Sequence, residues 1–176
     1  MTFWNQAALE PKRNYRWQLY IEGFDGNATA WWAKTVTLPS FDVSEVEHNY
    51  FDNKFYFPGR VSWSEVEATL VDPVEPDAAK NLMSILINSG YNIADAPDEK
   101  PTISKKKAVQ DGIKKIEIML FDSDENAVET WILHNAFIKA AKFGDMDYSN
   151  DELKTVSLTI RYDWASYEGM GTAYLT

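Results

Sequence analysis

The stretch Thr155–Trp164, TVSLTIRYDW, alternates without a slip. Val156, Leu158, Ile160, Tyr162 and Trp164 fall on one side, and Thr155, Ser157, Thr159, Arg161 and Asp163 on the other. A period of two puts successive side chains on opposite faces of a strand. The stretch is therefore expected to be a half-buried strand, which needs neighbours to pair with and a second layer to cover its dry face.

The same period recurs along the chain. Tyr15, Trp17, Leu19 and Ile21 alternate with polar or amphipathic neighbours. Val66, Ala68 and Leu70 oppose Glu65, Glu67 and Thr69, while Ile116, Ile118 and Leu120 line one side of another run. Trp31 to Leu38 reads as a strand stopped by Pro39, and Val128 to Phe143 as one long strand bending near Asn135. Turn clusters stand at Gly23–Asn27 and Asp122–Asn126. One helix is expected over 76–89. It has Pro76 in its first turn, acids beside its positive end, an apolar stripe of Ala78, Ala79, Leu82, Ile85 and Leu86, and Gly90 just beyond it. The expected fold is mainly β, an antiparallel β-sandwich or barrel with one flanking α-helix and a long protruding hairpin. At 176 residues the whole chain is expected to form a single domain. Residues 1–13 form an N-terminal arm, Tyr91–Gln110 a polar loop, and 165–176 a tail whose glycine-containing end, from Tyr167, lies outside the core.

Ser40 to Arg60, SFDVSEVEHNYFDNKFYFPGR, does not fit the core pattern. It reads as two extended arms around Asp52-Asn53, followed by a turn signal at Pro58-Gly59. Neither side of its first arm is cleanly apolar. Yet the hairpin carries Phe41, Val43, Val46, Tyr50, Phe51, Phe55, Tyr56 and Phe57, more apolar surface than a soluble chain leaves in water without a partner. These residues are the expected contacts to a neighbouring copy.

A net charge of −10 argues against phosphate-backbone binding as the main activity and suits a surface that must not adhere to nucleic acid. Without cysteine there is no disulfide framework or thiolate chemistry. No apolar run reaches membrane-spanning length, and the first residues carry no leader pattern. Catalytic and metal signals are weak. Asp122–Asn126 opens like a calcium loop, but Ala127 stands where glycine is required and Leu133 where the bidentate acid belongs. His48 and His134 have no partner at ligand spacing. Lys105-Lys106-Lys107 reads as a solvated loop or a charge partner for another subunit, and the pairs Glu45/Glu47 and Glu65/Glu67 as wet strand faces. No cofactor, metal or catalytic site is expected.

Several pieces in order resemble the tail tube proteins of contractile-tailed bacteriophages: YRWQLYIEG and AKTVTLPS, then FPGRVSWSEVEATLVD before a single helix, then the C-terminal run from Ile116 to Trp164 with its Phe-Gly-Asp corner. The resemblance spans roughly 14 to 164 and implies a non-enzymatic subunit of stacked hexameric rings inside a contractile sheath. It implies a lumen that conducts genomic DNA and holds the tape-measure protein, sheath and baseplate partners, and a place in the virion tail after assembly in the bacterial cytoplasm. Type VI secretion needle-tube proteins and tube-initiator proteins of baseplates are kin to that family. The polar faces Glu65, Glu67, Thr69 and Thr155, Ser157, Thr159, Arg161 are the lumen candidates. Two readings from other classes stand beside it. One is a carbohydrate-binding β-sandwich module presenting Trp31, Trp32 and Tyr50, and the other a carboxylate-based hydrolase.

Overall fold

The computed structural model describes residues 11–23, 33–75, 77–91, 102–149, 151–169 and 172–174. The element order is β1 (Trp17–Glu22), β2 (Ala33–Val36), β3 (Phe41–Tyr50), β4 (Asn53–Trp63), β5 (Val66–Val71), α1 (Ala78–Asn88), α2 (Lys105–Lys107), β6 (Lys115–Phe121), β7 (Ala127–His134), β8 (Phe137–Lys142), β9 (Thr155–Arg161), β10 (Trp164–Gly169) and β11 (Thr172–Tyr174). All strand pairs are antiparallel. One sheet runs β1-β6-β7-β10-β11, a second runs β2-β5-β9-β8, and β3-β4 stands apart as a two-stranded sheet.

The two large sheets share one core. Leu19, Ile21, Ile116, Ile118 and Leu133 from the first interleave with Val66, Leu70, Val156, Leu158 and Ile160 from the second. This is the dry face that the period of two demanded. It makes a sandwich with no closed barrel, because among the described residues no strand pairing joins the edge of one sheet to the edge of the other. Leu82 and Ile85 of α1 and Ile113 join that core. Asp77 is the N-cap, its carboxylate accepting from the Lys80 N–H at 3.0 Å. Gly90 follows the helix with a φ of 104°, and a Cβ there would meet the Thr102 carbonyl oxygen at 2.5 Å.

Four expectations need correction. The stretch 128–143 is two strands in different sheets. Asn135, at φ 55°, turns the chain between β7 and β8, a conformation asparagine tolerates better than most residues. The expected loop over 91–110 contains α2, and its chain continues as a wide π-type turn over Ala108–Gly112, closed by Ile113 N–H donating to the Ala108 carbonyl at 2.9 Å. The expected tail is part of the sandwich: β10 pairs with β7 and β11 with β10. The Tyr167 ring packs edge-on to Trp131, centroids 5.1 Å apart. Trp164 does not continue the inward row of β9. It is 48 % exposed and stacks on His134 instead. Residues 1–10 of the arm, and Trp31 and Trp32, lie outside the described residues.

Candidate functional site: the hairpin and the outer face of the four-stranded sheet

β3 and β4 form the hairpin expected from the sequence, and it is longer than Ser40–Arg60, reaching Trp63. At ~3.3 Å per residue, Phe41 to Tyr50 spans about 30 Å. Every residue from Phe41 to Ser62 is exposed. Among the described residues the anchoring contacts are at the base. Phe41 packs against Trp63, centroids 5.4 Å apart, and Trp63 against Tyr162 of the body at 6.0 Å. A lone two-stranded hairpin is marginally stable in water.

The Pro58-Gly59 signal is not a turn. It lies within β4, where the pairing shifts between Val43↔Val61 and Glu45↔Pro58. Gly59 and Arg60 together oppose Ser44, which makes a β-bulge. The Ser44 hydroxyl accepts from the Arg60 N–H at 2.8 Å, and a Cβ at Gly59 would meet that hydroxyl at 2.4 Å. The bulge changes the phase of β4. Below it, Phe41, Val43, Val61 and Trp63 share one face. Above it that face carries Glu45, Glu47, Tyr56 and Lys54, with Lys54 paired to Glu47 at 3.0 Å. The apolar residues Val46, Tyr50, Phe55 and Phe57 move to the opposite face, with His48 among them. The hairpin thus turns one apolar face toward its own body at the base and the other face outward at the tip. Of the expected contact residues, the structure groups Val46, Tyr50, Phe55 and Phe57, sets Phe51 at their apex, and separates Phe41, Val43 and Tyr56 from them.

The turn at the tip is Phe51-Asp52, with Tyr50 paired to Asn53. Phe51 has φ 52° and is 87 % exposed. Glycine is favoured at such a position in a two-residue hairpin, and a bulky residue there is strained. Its ring lies edge-on to Tyr50 at 4.6 Å.

The lumen candidates fall on one surface, the outer face of the four-stranded sheet. Register places Thr35, Thr69, Ser157 and Lys142 in one cross-strand row and Glu67, Thr159 and Ala140 in the next. Thr155 lies opposite Val71 at one end, and Arg161 opposite Phe137 at the other. The acidic excess of the chain is not concentrated here. Glu65 is held by Lys139 at 2.6 Å and lies 3.6 Å from Arg161, so the face is hydroxyl-rich and close to charge balance.

The remaining charged signals have local partners. Lys105 donates to Asp163 at 2.6 and 2.8 Å, tying α2 to the β9–β10 corner. That bond, with one from Asn135, holds the Asp163 carboxyl below its ordinary range. Lys105 is therefore occupied within its own chain. Asp122 accepts backbone N–H bonds from Asp124 and Asn126 at 2.8 and 2.9 Å, the geometry of a polar turn. These bonds, Asn126 first, lower its carboxyl's pKa. His134 Nε2 lies 2.7 Å from the Ser166 hydroxyl, in a packing role. One further link was missed by the sequence reasoning: Lys12 pairs with the buried carboxylate of Glu129, which also accepts from Trp131 Nε1 at 2.6 Å. The signal available was only an acid on an otherwise apolar strand.

No protein-family profile and no curated protein sequence matches this chain. Its fold does match solved structures. A chain of the six-fold-symmetrised baseplate of the anti-feeding prophage aligns at TM-score 0.67 and 12 % identity, over 93 % of this chain and 99 % of that one. A chain of the sheath–tube terminator of an extracellular contractile injection system aligns at 0.67 and 16 %, over 93 % and 100 %. A chain of the sheath–tube complex of such a system aligns at 0.63 and 16 %, over 97 % and 99 %. The chain has the mainly β fold that occurs in these contractile assemblies.

Proposed function

We propose that this protein is a non-enzymatic structural subunit of a tail tube. Copies form hexameric rings that stack into a hollow tube inside a contractile sheath. The lumen conducts DNA and holds a tape-measure protein, and a baseplate terminates the assembly. The reading places the protein in a virion tail, built in the bacterial cytoplasm. Close variants of the same role are a tube initiator and a secretion needle.

The observation that carries the reading is the hairpin. The sandwich closes its core without it, yet the chain maintains about 30 Å of two-stranded sheet whose tip is an exposed aromatic in a strained turn. Intramolecular stability does not account for that residue, whereas a contact to another molecule does. Support comes also from the fold, which occurs in a sheath–tube complex. The outer face of the four-stranded sheet is the proposed lumen wall. Its short hydroxyl side chains and balanced charges give a phosphate backbone little to hold, so DNA slides past it.

Negative-stain electron microscopy of the purified protein across concentration and salt tests the reading. Six-fold rings or tubes are expected. A protein that stays strictly monomeric at millimolar concentration overturns it.

A further inference from the structure

Two of the exposed apolar surfaces among the described residues have complementary shapes. One is the distal face of the hairpin. The other is a cleft of about 280 Å³ between α1 and β8. Its lining includes Met83, Leu86, Ile103, Phe137, Ala140 and Phe143, with Met83, Ile103 and Phe143 exposed at the rim. The cleft is at the lower edge of the ~300–1,000 Å³ that small-molecule sites occupy, and its two polar lining side chains are already engaged, the Ser89 hydroxyl donating to the Ile85 carbonyl and Lys139 to Glu65. Its size and lining suit an apolar side chain presented by another protein. β8 is also an edge strand of its sheet, an edge that soluble proteins usually cover.

Charge points to the occupant. The chain carries a net −10, but on the segments around the cleft, 82–89, 103–113 and 137–143, Lys106, Lys107 and Lys142 stand against the single acid Asp111, once Lys105 and Lys139 are set aside as the partners of Asp163 and Glu65. The hairpin arms hold Asp42, Glu45, Glu47 and Asp52 against Lys54 and Arg60. An acidic projection with an aromatic tip and a basic-rimmed apolar cleft are complementary, and both occur on every copy.

We infer that the hairpin tip of one copy, led by Phe51, seats in the α1–β8 cleft of a second copy. This rests on the tube-subunit reading and names the receiving surface within it. Tip and cleft are different surfaces, so the contact is heterologous. Each copy gives one and receives one, and the chain of contacts continues until it closes or stacks.

The absence of cysteine makes the test direct. Asp52→Cys and Ala140→Cys are prepared as separate proteins, leaving Phe51 in place, then mixed and oxidised. A disulfide needs Cα atoms ~4.4–6.8 Å apart, so it reports seating. The expected result is a covalent dimer in the mixture at least tenfold above either protein alone, and a ladder of multimers from the double variant. Circular dichroism confirms folding, and Met83→Cys, at the rim of the same cleft, replaces Ala140→Cys if the latter misfolds. Rings or tubes that form without the disulfide overturn the seat and leave the tube reading standing. So does an Ala140→Cys thiol that reacts with maleimide as fast in tubes as in monomer. Monomers alone under every condition remove both.

Discussion

Replacing Phe51 with glycine separates the stability of the subunit from the stability of its assembly. In the isolated chain the change has two opposing effects. Glycine adopts φ 52° without the ~1–2 kcal/mol that an L side chain incurs in the left-handed region. Against this it loses the edge contact to Tyr50, worth about 0.5–1.5 kcal/mol, and adds ~0.5–1 kcal/mol of backbone entropy in the unfolded chain. These nearly cancel, so the urea midpoint of the monomer should move little, within about 1 kcal/mol. Assembly is different. Fully burying a phenylalanine contributes about 1.5–3 kcal/mol, and Phe51 has 87 % of its surface still to bury. Each contact should then weaken by roughly 2 kcal/mol, or ~30-fold in its equilibrium constant. Phe55 and Phe57, 49 % and 56 % exposed, should each give about half that when cut to alanine. Leu70→Ala, at a fully buried position, should behave oppositely, costing ~2–5 kcal/mol of folding stability. The assay is the critical concentration for sedimentation, paired with urea unfolding below it. A Phe51→Gly protein that assembles at the wild-type concentration would refute the argument. So would one whose monomer loses several kcal/mol.

Deleting Val46–Phe55 should leave a sandwich that still unfolds in one cooperative transition and shows no assembly by gel filtration, since every deleted residue is exposed. Polymerisation of the deleted chain would exclude a docking role for the hairpin. Gly59→Val forces a Cβ to within 2.4 Å of the Ser44 hydroxyl and 3.0 Å of its carbonyl oxygen. It should disrupt the bulge and raise the critical concentration, and backbone amide shifts confined to 42–62 are the check. Lys12→Met leaves Glu129 buried without its cation and should cost about 1–2 kcal/mol after allowing for the solvent around Lys12. The Lys12 pKa is raised, chiefly by its bond to Glu129, so its stabilisation is complete below pH 10.5 and declines as pH rises beyond it. As pH rises above neutral, the wild type should lose its advantage over Lys12→Met in that alkaline range, by urea titration. The Asp163 pKa is lowered, chiefly by Lys105, so the stability it adds is present above its ordinary 3.8 and disappears as pH falls below that value. Asp163→Asn should flatten that acid limb in thermal melts.

The strands that bury one face against the core were legible because burial imposes the period of two. Leu19 and Ile21, Val66 and Leu70, and Val156 to Ile160 all sit where their alternation put them. What escaped lacked that periodic constraint. β10 shows no clean alternation, since Trp164 faces out to stack on His134 while Tyr167 packs on Trp131. The break at Asn135 depends on one left-handed residue inside an apolar run, which composition cannot distinguish from a bend. β8 borders the cleft, so its Ile138 and Ala141 face the core while Phe137 and Ala140 lie along the edge. Hydropathy does not separate those environments. The hairpin itself was legible as two extended arms carrying aromatics that the core does not use. The change of face at the bulge was not legible, because Pro-Gly is the same dipeptide in a turn and in a strand interruption.

The bulge also governs how this hairpin can change length. Side chains alternate, so inserting two residues in each arm above Ser44 carries the tip outward by about 7 Å and presents the same side. Inserting one residue in each arm reverses the presentation, and the aromatic cluster meets the neighbour with Glu45, Glu47 and Lys54 instead. The reach of the arm is thus adjustable in even steps only. A tube built this way could widen its ring spacing by lengthening the hairpin in pairs, with the sandwich beneath it untouched.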